Sequence, residues 1–136
     1  MTWVKVCGVT DMRAVTAAVD GGVDAIGFNL VIGSPRYIDP ERATALMRDL
    51  PVLRFVVTAD LDPADAFGLL EVTGADGIQN HGIGASAVAA EAIDAGYLAL
   101  RPIPVTGVGE VPIGDLPSAV MPLFDTAHPD MHGGTG

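Results

Sequence analysis

Short apolar runs alternate along the chain with amphipathic stretches, and this alternation predicts a repeated strand–helix architecture. Most of the apolar runs are continuous rather than alternating, which is typical of parallel strands that are covered on both faces. Each run has the length of a strand and is followed by turn-forming residues. The predicted strands are Trp3–Val6, Ala25–Leu30, Arg54–Val57, Gly77–Gln79, Leu98–Pro102 and Met121–Phe124.

The amphipathic stretches predict four helices, and the residues at their ends support this assignment. Asp39-Pro40 and Asp62-Pro63 each place a side-chain acceptor at the N-cap and a proline in the first turn. Gly74 suits a left-handed C-cap. Prolines and glycines interrupt residues 103–120, where we expect no full helix. The predicted helices are Asp11–Asp20, Pro40–Leu50, Pro63–Thr73 and Ser86–Ala95.

Two α/β architectures fit this order of elements. Gly22–Ile26 (GVDAI) and Gly74–Ile78 (GADGI) both join a helix to the next strand, which indicates repeated βα units. One architecture is a (β/α)8 barrel that is incomplete, because such barrels usually have about 200 residues or more. The other is a flavodoxin-like, doubly wound open sheet. Polar motifs follow strands 1, 2, 4 and 6, and this favours the barrel, which gathers those strand ends around one mouth.

Composition indicates one domain covering residues 1–136 and limits the classes of partner that we expect it to bind. The chain is 49% hydrophobic, carries a net charge of −10 and has seven scattered basic residues. Nucleic-acid binding needs concentrated positive charge, so we expect no such partner. No apolar run reaches the ~20 residues of a membrane span, and the N-terminus lacks a signal-peptide pattern. With a single cysteine, a cytoplasmic protein is the simplest expectation.

Two strand ends carry side chains that are suited to acid–base chemistry. Cys7 ends the first predicted strand and alternates with Trp3 and Lys5 on one face. A free cysteine is most often a small buried hydrophobe. A thiol with an ordinary pKa of ~8.5 can also act as a general base when a helix N-terminus, here near Asp11, favours the thiolate. Asp125 ends the last strand and is either a capping or solvated carboxylate or a general acid.

Further candidate residues follow strands 2 and 4 and lie in the C-terminal segment of residues 125–136. Arg36 follows Pro35 in a stiffened loop and is either a surface arginine or a ligand for a carboxylate. His81 lies at the end of strand 4. A lone histidine is usually solvated or structural, but its position beside Gln79 and Gly82 adds some support for a functional role. The glycines of residues 133–136 form either a loose terminus or a phosphate-facing loop. Residues 125–132 (DTAHPDMH) include four potential metal ligands, but their spacing does not support a metal site.

Several short segments together resemble the phosphoribosylanthranilate isomerase family of tryptophan biosynthesis. The resemblance implies a (β/α)8 barrel, here of about six βα units, and an Amadori rearrangement of a phosphorylated small molecule, N-(5-phosphoribosyl)anthranilate. It covers the whole chain but only the first two thirds or so of the family's length. The segments that carry it are Lys5–Thr10, Gly22–Phe28, Ser34–Tyr37, Gln79–Gly82, Phe124-Asp125 and Gly133–Gly136.

The same resemblance implies roles for individual residues. Cys7 corresponds to the general base and Asp125 to the general acid. Arg36 corresponds to the arginine that holds the anthranilate carboxylate. No metal or cofactor is implied, because the imine formed on ring opening is itself the electron sink. The substrate-binding residues implied by the resemblance are Arg36, Gln79, His81, Gly133 and Gly134.

Three departures from the family pattern leave a second function open. Asn80 replaces a leucine that we expect to point inward, and Thr58-Ala59-Asp60 replace the usual loop after strand 3, with an expected effect on the pocket. The family's last two strands, with their phosphate-binding loops, have no counterpart. We therefore expect unpaired edge strands that self-associate, and doubtful activity for residues 1–136 alone. The alternative function is a truncated or degenerate paralogue that binds a ligand or partner without catalysis.

Overall fold

The computed structural model describes residues 2–107, 109, 111 and 113–126, and in this part of the chain strands and helices alternate as predicted. All six predicted strands and all four predicted helices are present, with ends within a few residues of the prediction. In chain order they are β1 (Lys5–Cys7), α1 (Met12–Asp20), β2 (Ala25–Asn29), α2 (Pro40–Met47), β3 (Leu53–Ala59), α3 (Pro63–Thr73), β4 (Gly77–His81), α4 (Ala85–Asp94), β5 (Leu98–Val105) and β6 (Met121–Thr126).

The strands form one sheet in which every neighbouring pair is parallel. Their spatial order is β1-β2-β3-β4-β5-β6, the same as their order in the chain. A doubly wound sheet reverses its winding at a switch point, so the flavodoxin-like alternative is wrong. Sequential parallel strands are the arrangement of a (β/α)8 barrel wall. The carboxyl ends of all six strands therefore lie along one edge.

The main core lies between the outer face of the sheet and the helices. Phe28, Val56 and Ile78 are buried there with side chains from all four helices. On the inner face Phe55 is also fully buried, and the Trp3 ring meets it edge-on with centroids 6.3 Å apart. None of the described helices is long and apolar enough to cross a bilayer. The polar mouth and the apolar core thus occupy different parts of the same sheet.

The helix ends have the chemistry that the sequence predicts. The Asp39 carboxylate accepts a hydrogen bond from the backbone N–H of Arg42 at 2.9 Å, and Asp62 accepts one from Asp65 at 3.0 Å. Each of these helices has a proline in its first turn. Gly74 ends α3 with a φ of 66°, a left-handed conformation that glycine adopts without strain.

The repeated Gly-x-Asp segments have a structural explanation at the opposite, amino-terminal edge of the sheet. Asp24 accepts a hydrogen bond from the backbone N–H of Val4 at 2.7 Å. Asp76 accepts the equivalent bond from Arg54 at 2.8 Å and also binds its guanidinium at 2.7 and 2.9 Å. Each aspartate therefore ties the start of its own strand to the start of the preceding strand. We call these two contacts the strand clamps.

The Arg54–Asp76 clamp makes stability depend on pH. Hydrogen bonding to Arg54 holds the pKa of Asp76 below its ordinary value, and hydrogen bonding to Asp76 raises the pKa of Arg54. A carboxylate with a lowered pKa stabilises the folded state above its unfolded pKa of ~4, and this contribution is lost as the pH falls through the folded value.

We predict that Asp76→Asn lowers the free energy of unfolding by about 1–2 kcal/mol at pH 7, because a partly exposed charged clamp is weakened. The difference from the unsubstituted chain should shrink below about pH 4. Urea denaturation at several pH values measures both effects. Asp24→Asn is the matched control and should cost less, since Asp24 is exposed and its side chain binds a single backbone N–H. Equal losses in the two variants would contradict the role given to Arg54.

The first and last strands each have one partner among the described residues, β2 for β1 and β5 for β6. Val4 is 44% exposed and Val6 37% exposed beside the free edge of β1, and Phe124 of β6 is 52% exposed. Unpaired strand edges with apolar side chains recruit further strands from other chains. The edges that were expected from the sequence are therefore present in the structure.

We predict that the 136-residue chain self-associates in a concentration-dependent way. Size-exclusion chromatography over a range of loading concentrations measures this. Val4→Lys and Phe124→Lys should each shift the chain towards the monomer, because charged side chains on an edge oppose strand pairing. A monomeric, cooperatively unfolding chain at all concentrations would show that these edges do not associate.

Candidate functional site

A cleft of about 320 Å³ opens where the strands end at their carboxyl edge. Its lining comes from β1 and the residues just before it, from the end of β2 and the loop that follows, and from strands β3, β4 and β6. All five predicted site residues that lie within the described part of the chain line this cleft. Gly133 and Gly134, the other two, lie outside the described residues. The site residues brought together are Cys7, Arg36, Gln79, His81 and Asp125.

Cys7 faces the cleft and is exposed, so its interpretation as a buried hydrophobe is wrong. It shares the inward face of β1 with Trp3 and Lys5, as the alternation predicts. Gly27 of β2 lies beside it in the sheet. A Cβ atom on Gly27 would stand 3.1 Å from the Cys7 Sγ and 3.0 Å from the Lys5 Nζ. The missing side chain therefore leaves the space into which both polar groups extend.

Lys5 is the functional candidate that the sequence interpretation missed. Its Nζ donates a hydrogen bond to the Gln79 Oε1 at 2.8 Å, which joins β1 to β4 across the inner face. Burial lowers the pKa of the Lys5 ammonium, while attraction to Cys7 and hydrogen bonding with it act in the opposite direction. The sequence did contain one signal for Lys5: side chains alternate along β1, which places Lys5 on the same face as Cys7.

Gln79 and His81 continue this polar chain along β4. Both side chains are buried, and the Gln79 Nε2 lies 2.7 Å from the His81 Nε2. Because the ammonium of Lys5 can only donate, it fixes the amide of Gln79 with its oxygen towards Lys5 and its NH₂ towards His81. The His81 Nε2 then faces the NH₂ group of this amide and can accept a hydrogen bond from it.

Arg36 reaches the cleft from the loop after β2, and two features hold it there. Gly8 has a φ of 79°, and a Cβ at Gly8 would collide with the Arg36 Cδ. The arginine stem therefore passes directly over the backbone that follows Cys7. The Ser34 Oγ accepts hydrogen bonds from the Arg36 N–H and the Asn29 side-chain amide, both at 3.2 Å. This loop can present a guanidinium to a carboxylate in the cleft.

Asp125 approaches the cleft from β6, at the other end of the sheet from Cys7. Its side chain is half-buried, and Leu123 and Phe124 line the cleft beside it. One carboxylate oxygen accepts a hydrogen bond from the backbone N–H of Thr126 at 2.9 Å. A carboxyl group and a thiol thus line the same cleft from its two boundary strands.

The prediction that the Asn80 side chain points inward is wrong. Side chains alternate along β4, so Gln79 and His81 face the cleft while Asn80 is buried on the side of the helices. The Thr58 hydroxyl donates to the Asn80 Oδ1 at 2.9 Å, and the Asn80 Nδ2 donates to the Leu61 carbonyl at 3.0 Å. Two of the departures from the family pattern are therefore hydrogen-bonded to each other.

The residues at and just after the end of β3 also lie away from the cleft. Val57 lines it, whereas Thr58 and Ala59, the last two residues of β3, and Asp60, which follows them, are not part of the lining. Asp60 accepts a hydrogen bond from the backbone N–H of Ile83 at 2.7 Å, which ties the loop after β3 to the loop after β4. These three residues therefore do not change the shape of the pocket by contacting the cleft directly.

No group of three or more His, Cys, Asp or Glu side chains is arranged to hold a metal ion within the described ranges. Of the potential ligands in residues 125–132, only Asp125 belongs to those ranges. His128, Asp130 and His132 lie outside them. The groups that line the described cleft are suited to proton transfer and anion binding.

No protein-family model matches the chain. Curated relatives do match it along its whole length. It is 36% identical over 147 residues to N-(5'-phosphoribosyl)anthranilate isomerase of Geobacter sp. (strain M21) and 31% identical over 139 residues to that of Rubrobacter xylanophilus. The chain spans 66% and 68% of the length of these two relatives.

Solved structures give the same relationship. Phosphoribosyl anthranilate isomerase from Thermus thermophilus matches with a TM-score of 0.83 and 33% identity, over 94% of this chain and 64% of that chain. Another phosphoribosyl anthranilate isomerase was solved in complex with reduced 1-(o-carboxyphenylamino)-1-deoxyribulose 5-phosphate. It matches with a TM-score of 0.72 and 28% identity, over 78% of this chain and 55% of that chain.

We predict that Thr58 and Asn80 act as one unit in stability. Asn80→Leu alone should lower the free energy of unfolding by about 1–3 kcal/mol, because it leaves the Thr58 hydroxyl and the Leu61 backbone without their buried partner. Thr58→Val combined with Asn80→Leu should cost less than the two single losses together. Urea denaturation of the four chains in this double-mutant cycle measures the coupling. Strictly additive losses would contradict it.

Proposed function

Because this chain belongs to the N-(5'-phosphoribosyl)anthranilate isomerase family, we propose that it acts as an isomerase in tryptophan biosynthesis. Its substrate would be N-(5-phosphoribosyl)anthranilate and its product 1-(2-carboxyphenylamino)-1-deoxyribulose 5-phosphate. The observation that carries the proposal is the convergence of a thiol, a carboxyl group and a guanidinium on one cleft, from Cys7, Asp125 and Arg36. An Amadori rearrangement needs an acid, a base and a means of holding the anionic substrate.

In this proposal the first chemical step belongs to Asp125. Its carboxyl group protonates the ring oxygen of the ribose, the bond from that oxygen to C1 breaks, and the anthranilate nitrogen supplies the electron pair of the new imine. The half-buried position of Asp125 at the cleft, beside Leu123 and Phe124, supports this role.

Cys7 takes the second step as a thiolate. It removes the proton from C2, and the electrons of that bond move into the imine to give an enolamine. Protonation at C1 and loss of the hydroxyl proton at C2 then give the ketone. The exposed sulfur at the mouth of the cleft supports this role. All electrons move within the substrate, so the proposed reaction requires no metal or organic cofactor.

Arg36 binds the anthranilate carboxylate in this scheme. A guanidinium offers two parallel N–H donors to a carboxylate, and the loop around Ser34 limits its movement. Gln79 and His81 would contact the ribose portion from the inner face. The involvement of Gly133 and Gly134 in phosphate binding stays a prediction, because they lie outside the described residues. We expect the protein to act in the cytoplasm, where amino-acid biosynthesis takes place.

We predict that Cys7→Ala and Asp125→Asn each lower kcat by ~100-fold or more, as for loss of a general base or acid. Arg36→Met should instead raise KM, by a factor equivalent to about 1.5–3 kcal/mol of lost charge-assisted binding. The fluorescence of the anthranilate compounds gives a direct assay. Arg42→Met, on the exposed side of α2, is the matched control and should change neither constant. Turnover unaffected by Cys7→Ala would overturn the assignment of the base.

Complementation of a tryptophan auxotroph that lacks this isomerase tests the function as a whole. Growth with the unsubstituted chain and no growth with Cys7→Ala is the expected result. Failure of both, with measurable binding of the substrate by the purified chain, would favour the alternative of a non-catalytic paralogue that binds a ligand.

A further inference from the structure

Lys5 occupies a position that the proposed proton transfers leave without an assigned role. It is the only lysine among the seven basic residues, and Cys7 is the only cysteine in the chain. The Lys5 Nζ and the Cys7 Sγ extend into the same space, and a Cβ at Gly27 would stand 3.0 and 3.1 Å from them. A cation and an ionisable sulfur therefore meet in a space that a larger residue on β2 would close.

The charged and titratable groups around Cys7 come from four parts of the fold. Lys5 lies on β1 with it, and Arg36 approaches from the loop after β2. His81 lies on β4, with its Nε2 facing the amide of Gln79, and Asp125 lies on β6. Of the two cations, Lys5 is the one with a fixed acceptor in the fold, since its Nζ is held by the Gln79 Oε1 at 2.8 Å. Arg36 is exposed and is the one open to a substrate carboxylate.

We propose that Lys5 is a positioning residue of this site, which stabilises the anionic form of the Cys7 sulfur and orients the Gln79 amide towards His81. The inference rests on the proposed function, in which Cys7 acts as the base. Lys5 keeps its proton throughout: the substrate proton passes to the sulfur, and Lys5 then faces a neutral thiol while its hydrogen bond to Gln79 persists. The hydrogen bond keeps the ammonium in place in both states of Cys7.

A neutral residue at position 5 would have two consequences. The thiolate would lose its fixed positive partner, and less of it would exist near neutral pH. The Gln79 amide would lose the donor that sets its orientation, so that its oxygen and nitrogen become interchangeable towards His81. Both consequences concern the ability to transfer a proton, and neither removes a contact that holds the substrate carboxylate.

Alkylation of the single thiol with iodoacetamide tests the proposal without any substrate. The rate is measured by mass spectrometry on the 136-residue chain from about pH 6 to pH 10. Removing a nearby cation lowers the thiolate population near neutral pH, and the greater nucleophilicity of the less stabilised thiolate offsets about half of the effect on rate. Lys5→Met should therefore react roughly 3- to 30-fold more slowly at pH 7 and at least as fast as the unsubstituted chain near pH 10.

Two variants separate charge from shape. Lys5→Arg keeps a cation and should stay within roughly threefold of the unsubstituted rate at pH 7. Gly27→Ala keeps Lys5 but fills the shared space, and it should slow alkylation at pH 7 in the same pH-dependent way. It also provides the test if Lys5→Met does not fold. Arg42→Met is the control for a distant exposed charge and should leave the profile unchanged.

A rate that falls equally at every pH in Lys5→Met, or does not fall at all, would overturn the proposal. In the isomerase assay Lys5→Met should lower kcat with KM nearly unchanged. If the chain shows no turnover but alkylation still depends on Lys5 as described, the proposed function fails while the effect of Lys5 on the sulfur stands. If turnover is present and alkylation is independent of Lys5, the proposed function stands and the proposed effect of Lys5 on the sulfur fails.

Discussion

The parallel hydrogen-bonded ladder from β1 to β6 is the constraint on which both the core and the cleft depend. Because each strand pairs with its neighbour in the chain, all carboxyl ends lie at one edge and all helices lie on one face. The strand clamps of Asp24 and Asp76 act at the opposite edge. The strand clamps therefore lie at the edge of the sheet opposite the mouth of the cleft.

Glycines give the site its close contacts. Arg36 lies over the backbone of Gly8, and Lys5 and Cys7 extend into the space beside Gly27. On β4, a Cβ at Gly77 would overlap the ring of Phe55, so that this glycine makes room for the aromatic residue of the inner face. In each case the absent side chain belongs to one strand or loop and the group that uses the space belongs to another. The site is assembled by strand pairing rather than by any single motif.

Much of this arrangement could be predicted from the sequence, and the failures have physical causes. Strand ends and helix caps follow from local patterns, which located Cys7 and Arg36 correctly. The number of βα units alone fits two topologies, but the polar motifs after strands 1, 2, 4 and 6 favoured the barrel, and the sequential order of the strands confirms it. Asn80 was assigned to the wrong face because a family pattern was followed in place of the alternation along β4. Lys5 was missed because its partners, Gln79 and Gly27, are distant in the chain and meet it only in the folded sheet.

The exposure of β6 has a consequence for the order in which the structure loosens. Every residue of β6 is at least partly exposed, and no described helix is packed beside it, whereas β2, β3 and β4 are largely buried. Local opening costs least where few apolar contacts cover a strand. The strand that carries Asp125 should thus fluctuate away from the sheet more readily than β4, which carries Gln79 and His81 and is buried along its whole length. Hydrogen exchange should be faster at Asp125 than at Gln79 or His81, and the β6 side of the cleft should open before the β4 side on warming.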